Sequence, residues 1–127
     1  MDYQGVIIEE SLADRAVLQK MKILSTQIVE VTGRHQTPWL SQWTLHTVEI
    51  PENQARTVAE AISRAFDHSH PGSWYADFKN DACHYLVFPG RIFPVERNSR
   101  TQYLEAKHYG LALGIPEHQL DFPLPPA

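Results

Sequence analysis

Trp74-Tyr-Ala-Asp-Phe-Lys-Asn-Asp-Ala-Cys-His-Tyr-Leu-Val-Phe-Pro-Gly-Arg-Ile-Phe-Pro-Val95 carries three short strands in succession. Trp74 to Lys79 alternates, with Trp74, Ala76 and Phe78 to one side and Tyr75, Asp77 and Lys79 to the other. That period of two marks a half-buried strand. Asn80-Asp81 supplies a turn, Cys83 to Phe88 a second strand and Arg91 to Val95 a third. Pro89-Gly90 in L-residues makes a type II turn, whose twist does not suit a two-residue hairpin, so a slightly longer loop is expected there. Strands joined this closely run antiparallel, because a parallel pair needs a long crossover.

Working outward, Glu52 to Phe66 reads as the strongest helix. Val58, Ile62, Ala65 and Phe66 form one apolar stripe, with Arg56, Glu60 and Arg64 elsewhere. Pro51 precedes it, and Pro71 and Gly72 lie beyond its end. Downstream, Ser99 to Gln102 is a capping box opening a helix to about Leu113, with Gly114 as its C′ residue and Pro116 as a stop. Upstream, Trp43 to Ile50 is a strand rich in β-branched and aromatic residues. Gly5 to Glu10 is another, and Ser11 to Asp14 opens a short helical segment. Met21 to Val31 is strand-like, and its apolar residues switch parity between Leu24 and Val29. That switch predicts a bulge or a strand covered on both faces.

The expected architecture is α+β. It is an antiparallel sheet with both main helices on one face, and from Trp43 onward a ferredoxin-like split βαβ with extra N-terminal strands before it. Residues 1–119 are expected as a single domain and 120–127, with Pro123, Pro125 and Pro126, as an extended tail. The other sheet face must then be solvated, ligand-lined or buried in a dimer.

Charge and motifs narrow the function by exclusion. The chain has 127 residues and a net charge of −4, so it has no whole-domain attraction to nucleic acid or anionic lipid. One cysteine, Cys83, allows no intramolecular disulfide and fits a reducing compartment. No run approaches the ~20 apolar residues of a membrane span. The first residues lack the basic region of a secretory signal, so a cytoplasmic protein is expected. The six glycines form no G-x-G. G-x-S-x-G and H-E-x-x-H are absent as well, and no cofactor is expected.

Three segments, Trp43 to Pro51 (WTLHTVEIP), Ser73 to Asn80 (SWYADFKN) and Tyr109 to Phe122 (YGLALGIPEHQLDF), resemble those of a family of small bacterial proteins of unknown function. The resemblance covers most of the chain. It implies no activity, substrate or catalytic residue.

Four groups of residues have chemistry to offer. Tyr75, Asp77 and Lys79 lie ~7 Å apart in a row, followed by Asn80, and could hold a small polar ligand or move a proton. The ordinary alternative is a solvated face of mixed charge. His46 shares parity with Val48 and Ile50, so it is either a base in apolar surroundings or a core histidine satisfied by a backbone carbonyl. Glu49 points to the opposite face. Cys83 and His84 are adjacent on a strand and point apart, which argues against a dyad and for a buried structural thiol. His68 and His70, with Cys83 or His84, have ligand chemistry, but H-x-H in a loop is unspecific and no metal is expected.

The functional expectation is a domain that binds a small polar ligand or a protein partner and forms a homodimer. Three tryptophans, five tyrosines and five phenylalanines are many rings for one small core, which favours self-association through an open face. The alternative is a small enzyme using Tyr75, Asp77 and Lys79 with His46 or His84.

Overall fold

The computed structural model describes residues 1–35, 37–70 and 73–125. Its elements run β1 (Tyr3–Ile8), β2 (Lys22–Glu30), β3 (Gln42–Ile50), α1 (Ala55–Ala65), β4 (Ala76–Lys79), β5 (Cys83–Phe88), β6 (Arg91–Glu96) and α2 (Arg100–Ala112). Short 3-10 turns cover Glu9–Ser11, Arg15–Lys20, Gly33–His35, Glu52–Gln54 and Glu117–Gln119. The six strands form one antiparallel sheet in the order β2-β3-β1-β4-β5-β6. The chain is therefore α+β.

The central insertion differs from the expected one. β3 and β4 both run antiparallel to β1, which lies between them, so α1 carries the chain over β1. A ferredoxin-like split βαβ from Trp43 onward would place β5 in that position. Here β5 lies outside β4, because the N-terminal strand already occupies the gap.

The helices do not share a face. Along β5, Val87 joins the cluster containing Val58, Ala59 and Ile62 of α1, while Leu86 and Phe88 join the cluster containing Tyr103 and Ala106 of α2. Neighbours along a strand point to opposite faces, so α1 and α2 sit on opposite sides of the sheet. The expectation of both helices on one face fails because Leu86-Val87-Phe88 is fully buried throughout, and a strand apolar on both sides needs two covers.

Local chemistry fixes the ends of the elements. The Ser99 hydroxyl accepts from the Gln102 amide at 3.2 Å and starts α2, and Gly114 ends it at φ +89°. The Ala65 carbonyl at the end of α1 accepts from the amides of Ala13 and Asp14, tying the N-terminal segment to the helix. Pro89-Gly90 makes a two-residue connection after all, with Phe88 paired to Arg91. Gly90 takes φ +74°, and its amide donates to the Ser63 carbonyl on α1, so the turn is held from outside. The parity switch in β2 is a register shift between Ile23 and Ser25. The strand is an exposed edge rather than one covered on both faces.

The C-terminal segment lies on the molecule. Leu120 is buried in the α2 cluster, and Phe122 packs edge-on to Tyr75 at 5.9 Å. Gly110, inside α2, makes room for it: a Cβ there would come within 2.9 Å of the Leu120 side chain.

Gly5 in β1 faces a closer approach. A Cβ would meet the Asp77 carbonyl oxygen at 2.1 Å and the Phe78 Cα at 2.7 Å, both backbone atoms of the paired strand. Gly5→Ala should therefore cost about 3 kcal/mol in urea denaturation, near the upper end for overpacking. A loss under about 0.5 kcal/mol would show that β1 and β4 are not held this closely.

Candidate functional site

On the α2 side, the sheet is covered only over its β4–β6 half. Where the cover stops, a cleft of about 250 Å³ opens between the C-terminal segment and the strands β1 and β3. Val6, Ile8 and Leu45 form its floor, Trp43 and Trp74 its aromatic side, and Asp77 lies at its inner end. The far wall is Glu117–Gln119 and the residues after it, with His118 and Asp121 on the cleft. The β2–β3 loop braces that wall: the His118 ring Nε2–H donates to the Arg34 carbonyl at 2.9 Å, and the Gln119 amide donates to the His35 carbonyl at 3.2 Å.

Asp77 is fixed from behind. Its Oδ2 lies 2.7 Å from His84 Nε2, and His84 Nδ1 lies 3.0 Å from the Tyr103 hydroxyl. The consistent assignment has the tyrosine donating to Nδ1 and Nε2–H donating to an ionised Asp77. His84 is 1 % exposed and Tyr103 is fully buried, so neither meets a ligand directly. The arrangement is a positioning relay that holds the Asp77 carboxylate at the edge of the cleft.

Tyr75, Asp77 and Lys79 share a face as expected, but they do not form one site. The Tyr75 ring stacks on Phe88, with centroids 5.5 Å apart, and its hydroxyl donates to the Gln119 carbonyl. Burial, and after it the charges of Asp77 and Asp121, hold this phenol well above its ordinary value. Lys79 is exposed and lies with Met1, Asp2 and Gln4 at a separate surface hollow. The Asn80 side chain accepts from the Ala82 and Cys83 amides, closing the β4–β5 turn, and donates to the Met1 carbonyl.

His46 belongs to the α1 face, away from the cleft. It is buried, but side chains rather than a backbone carbonyl satisfy it: Thr26 Oγ1 at 2.8 Å from Nδ1 and Glu9 Oε1 at 3.0 Å from Nε2. Glu9 also takes Arg15 at 3.0 Å. Cys83 packs in the α1 cluster near Tyr3 and Tyr85, with His84 on the opposite face. Burial and the neighbouring thiol push the Tyr3 phenol up to about 12. His68 is exposed, and His70 stacks on Trp39 with ring centroids 4.3 Å apart. Among the described residues, no three His, Cys, Asp or Glu side chains are grouped as a metal site would need. No described helix is long and apolar enough to cross a membrane.

Reading the sequence alone missed Trp43, Trp74, His118 and Asp121 as a group. Trp74 was expected on the core face with Ala76, but β4 begins only at Ala76, so strand parity does not fix the tryptophan. It touches the α1 cluster and also meets Trp43 in the cleft, with centroids 5.5 Å apart. No sequence spacing links Trp43 to Asp121.

Two stability tests follow from these contacts. Tyr103→Phe leaves the buried Nδ1 of His84 without its donor and should cost about 1–3 kcal/mol in denaturant melts. A change under about 0.5 kcal/mol would remove the hydroxyl from the relay. The second concerns Glu10, which accepts from the Thr44 amide at 2.6 Å and the Thr44 hydroxyl at 2.7 Å. Burial pushes its carboxyl up, but these two bonds outweigh burial and hold it below its usual value. A depressed carboxylate stabilises the fold above its unfolded pKa and loses that contribution as pH falls through the folded one. Glu10→Gln should thus cost about 1–2 kcal/mol at neutral pH. The gap to the parent protein should close as pH falls below about 4. A gap that stays constant down to pH ~3 would rule the carboxylate out.

Compared with protein-family models, curated proteins and solved structures, the chain matches none, so what the cleft does has to be derived from its own side chains.

Proposed function

We propose that the chain is a small-ligand-binding domain whose ligand occupies the cleft between β1, β3 and the C-terminal segment. One observation carries this reading. Asp77 lines the cleft beside Trp43 and Trp74 while one of its oxygens is anchored on a buried histidine. A carboxylate held this rigidly needs little ordering on binding, which is what a specific polar contact requires. An apolar floor with a few fixed polar groups is the usual make-up of a ligand site. The enzyme reading is weaker, because Lys79 and the Tyr75 hydroxyl are directed elsewhere, which leaves Asp77 alone of the row to act in the cleft.

The tryptophans provide the test. Trp43 and Trp74 line the cleft, while Trp39 is stacked on His70. In a screen of small metabolites followed by NMR of the three indole N–H signals, a true ligand should shift Trp43 and Trp74 and leave Trp39 in place. Asp77→Asn should weaken that ligand by about tenfold or more, the value of a hydrogen bond to a charged group. Binders that move only Trp39, or that ignore Asp77→Asn, would place the site elsewhere.

Self-association, expected from an open aromatic face, finds a different basis. The rings are largely used inside the two cores, and both faces of β5 are covered. Three of the large apolar residues that remain exposed lie on β2, where Ile23 is 43 %, Leu24 42 % and Ile28 61 % exposed. β2 is an edge strand of nine residues without proline, whereas the opposite edge, β6, is interrupted by Pro94. We propose a homodimer through β2, whose unpaired edge would pair with the same edge of a second copy. Sedimentation equilibrium should then give twice the monomer mass, and Ile28→Lys should give the monomer. A parent protein that is monomeric at about 100 µM would exclude this interface.

A further inference from the structure

We infer that the cleft selects a small organic cation, an alkylammonium or quaternary ammonium group. This rests on the ligand-binding reading and gives the ligand its chemistry. The argument starts from the hydrogen-bond donors. Trp43 Nε1–H donates to the Thr37 hydroxyl at 3.0 Å, and the Tyr75 hydroxyl donates to the Gln119 carbonyl. His118 and the Gln119 amide donate to the carbonyls of the β2–β3 loop. Four side chains of the cleft thus direct their N–H or O–H groups onto the protein itself. Among the described residues, no Lys or Arg lines the cleft. An anionic ligand would find few donors and no fixed positive charge.

Apart from the Ser73 hydroxyl and the Trp74 indole N–H, the groups left facing the cleft are acceptors and π-systems. The carboxylates of Asp77 and Asp121 are the charged ones. Both charges act on the Tyr75 phenol, so their fields overlap in the same space. The indole rings of Trp43 and Trp74 meet at 61°, an inclined pair against which an ammonium group can rest. Tryptophan is the aromatic ring best suited to hold a cation, and the attraction grows when the site excludes water. A volume of about 250 Å³ suits one such head group rather than a nucleotide or an oligomer.

Choline and its neutral isostere dimethylbutanol, in which carbon replaces the quaternary nitrogen, isolate the charge at constant shape. Butyrate supplies an anion of similar size. Each is titrated into the full chain with tryptophan fluorescence and calorimetry as readouts. Choline should bind at least about tenfold tighter than dimethylbutanol, the fold-change expected of a desolvated cation–π contact joined by a carboxylate. Asp77→Asn should abolish most of that preference. Asp121→Asn, a change on an exposed residue that leaves the relay intact, should reduce it a few-fold.

Dimethylbutanol binding within about twofold of choline overturns the inference, and so does butyrate binding in preference to choline. In both cases the cleft remains a ligand site and the reading proposed above stands. Choline affinity unchanged in Asp77→Asn and Asp121→Asn overturns it as well. If none of the three compounds binds, the cation inference falls, and the wider indole screen decides separately whether the cleft binds anything.

Discussion

Leu86-Val87-Phe88 cannot leave either side of β5 to water, and most of the structure follows from that. Each side chain is fully buried, and they alternate between faces. One face is covered by α1, which the chain reaches after β3, and the other by α2 and the segment that follows it. The β4–β6 half of the sheet is therefore three layers thick. The β2-β3-β1 half bears a cover only on the α1 side, from α1 and the residues after β1. The cleft is the step between the two halves. It arises because one cover ends where the sheet continues, and the chain devotes no separate element to it.

The same step explains why the polar residues at its edge are so firmly held. Asp77 stands on β4, where the three-layered half begins, so a buried histidine can reach it from the next strand and a buried tyrosine can complete the relay. Further out on the same face, the next residue of that parity, Lys79, has no such cover and is exposed. Burial of the partner, rather than the identity of the row, separates a fixed carboxylate from an exposed ammonium.

The sequence revealed the elements better than their arrangement. Strands at Trp43–Ile50 and Cys83–Phe88, the stripe of α1, the Ser99 cap and the Gly114 stop were all legible, because each depends on residues within a few positions. Both helices were expected on one face, although Leu86-Val87-Phe88 is apolar throughout and signals cover on both sides. The tight turn at Pro89-Gly90 was misread because its support, the Ser63 carbonyl that accepts from the Gly90 amide, lies 27 residues away on α1. For the candidate site, Asp77 and His84 were both in view, but their pairing depends on a diagonal across β4 and β5. Of the outer wall, only Asp121 belongs to the stretch expected as an extended tail, and contacts from His118 and Gln119 to the β2–β3 loop place it opposite Trp43.

That wall depends on a vacancy. Gly110 is a poor residue for the middle of a helix, and a side chain there would run into Leu120. Leu120 lies between Gln119, which is braced by the loop, and Asp121, which faces the cleft. Position 110 touches nothing a ligand would touch, yet its bulk sets how far the wall stands from the sheet. The spacing of that wall is thus set from the buried face of α2, at a position outside the lining of the cleft.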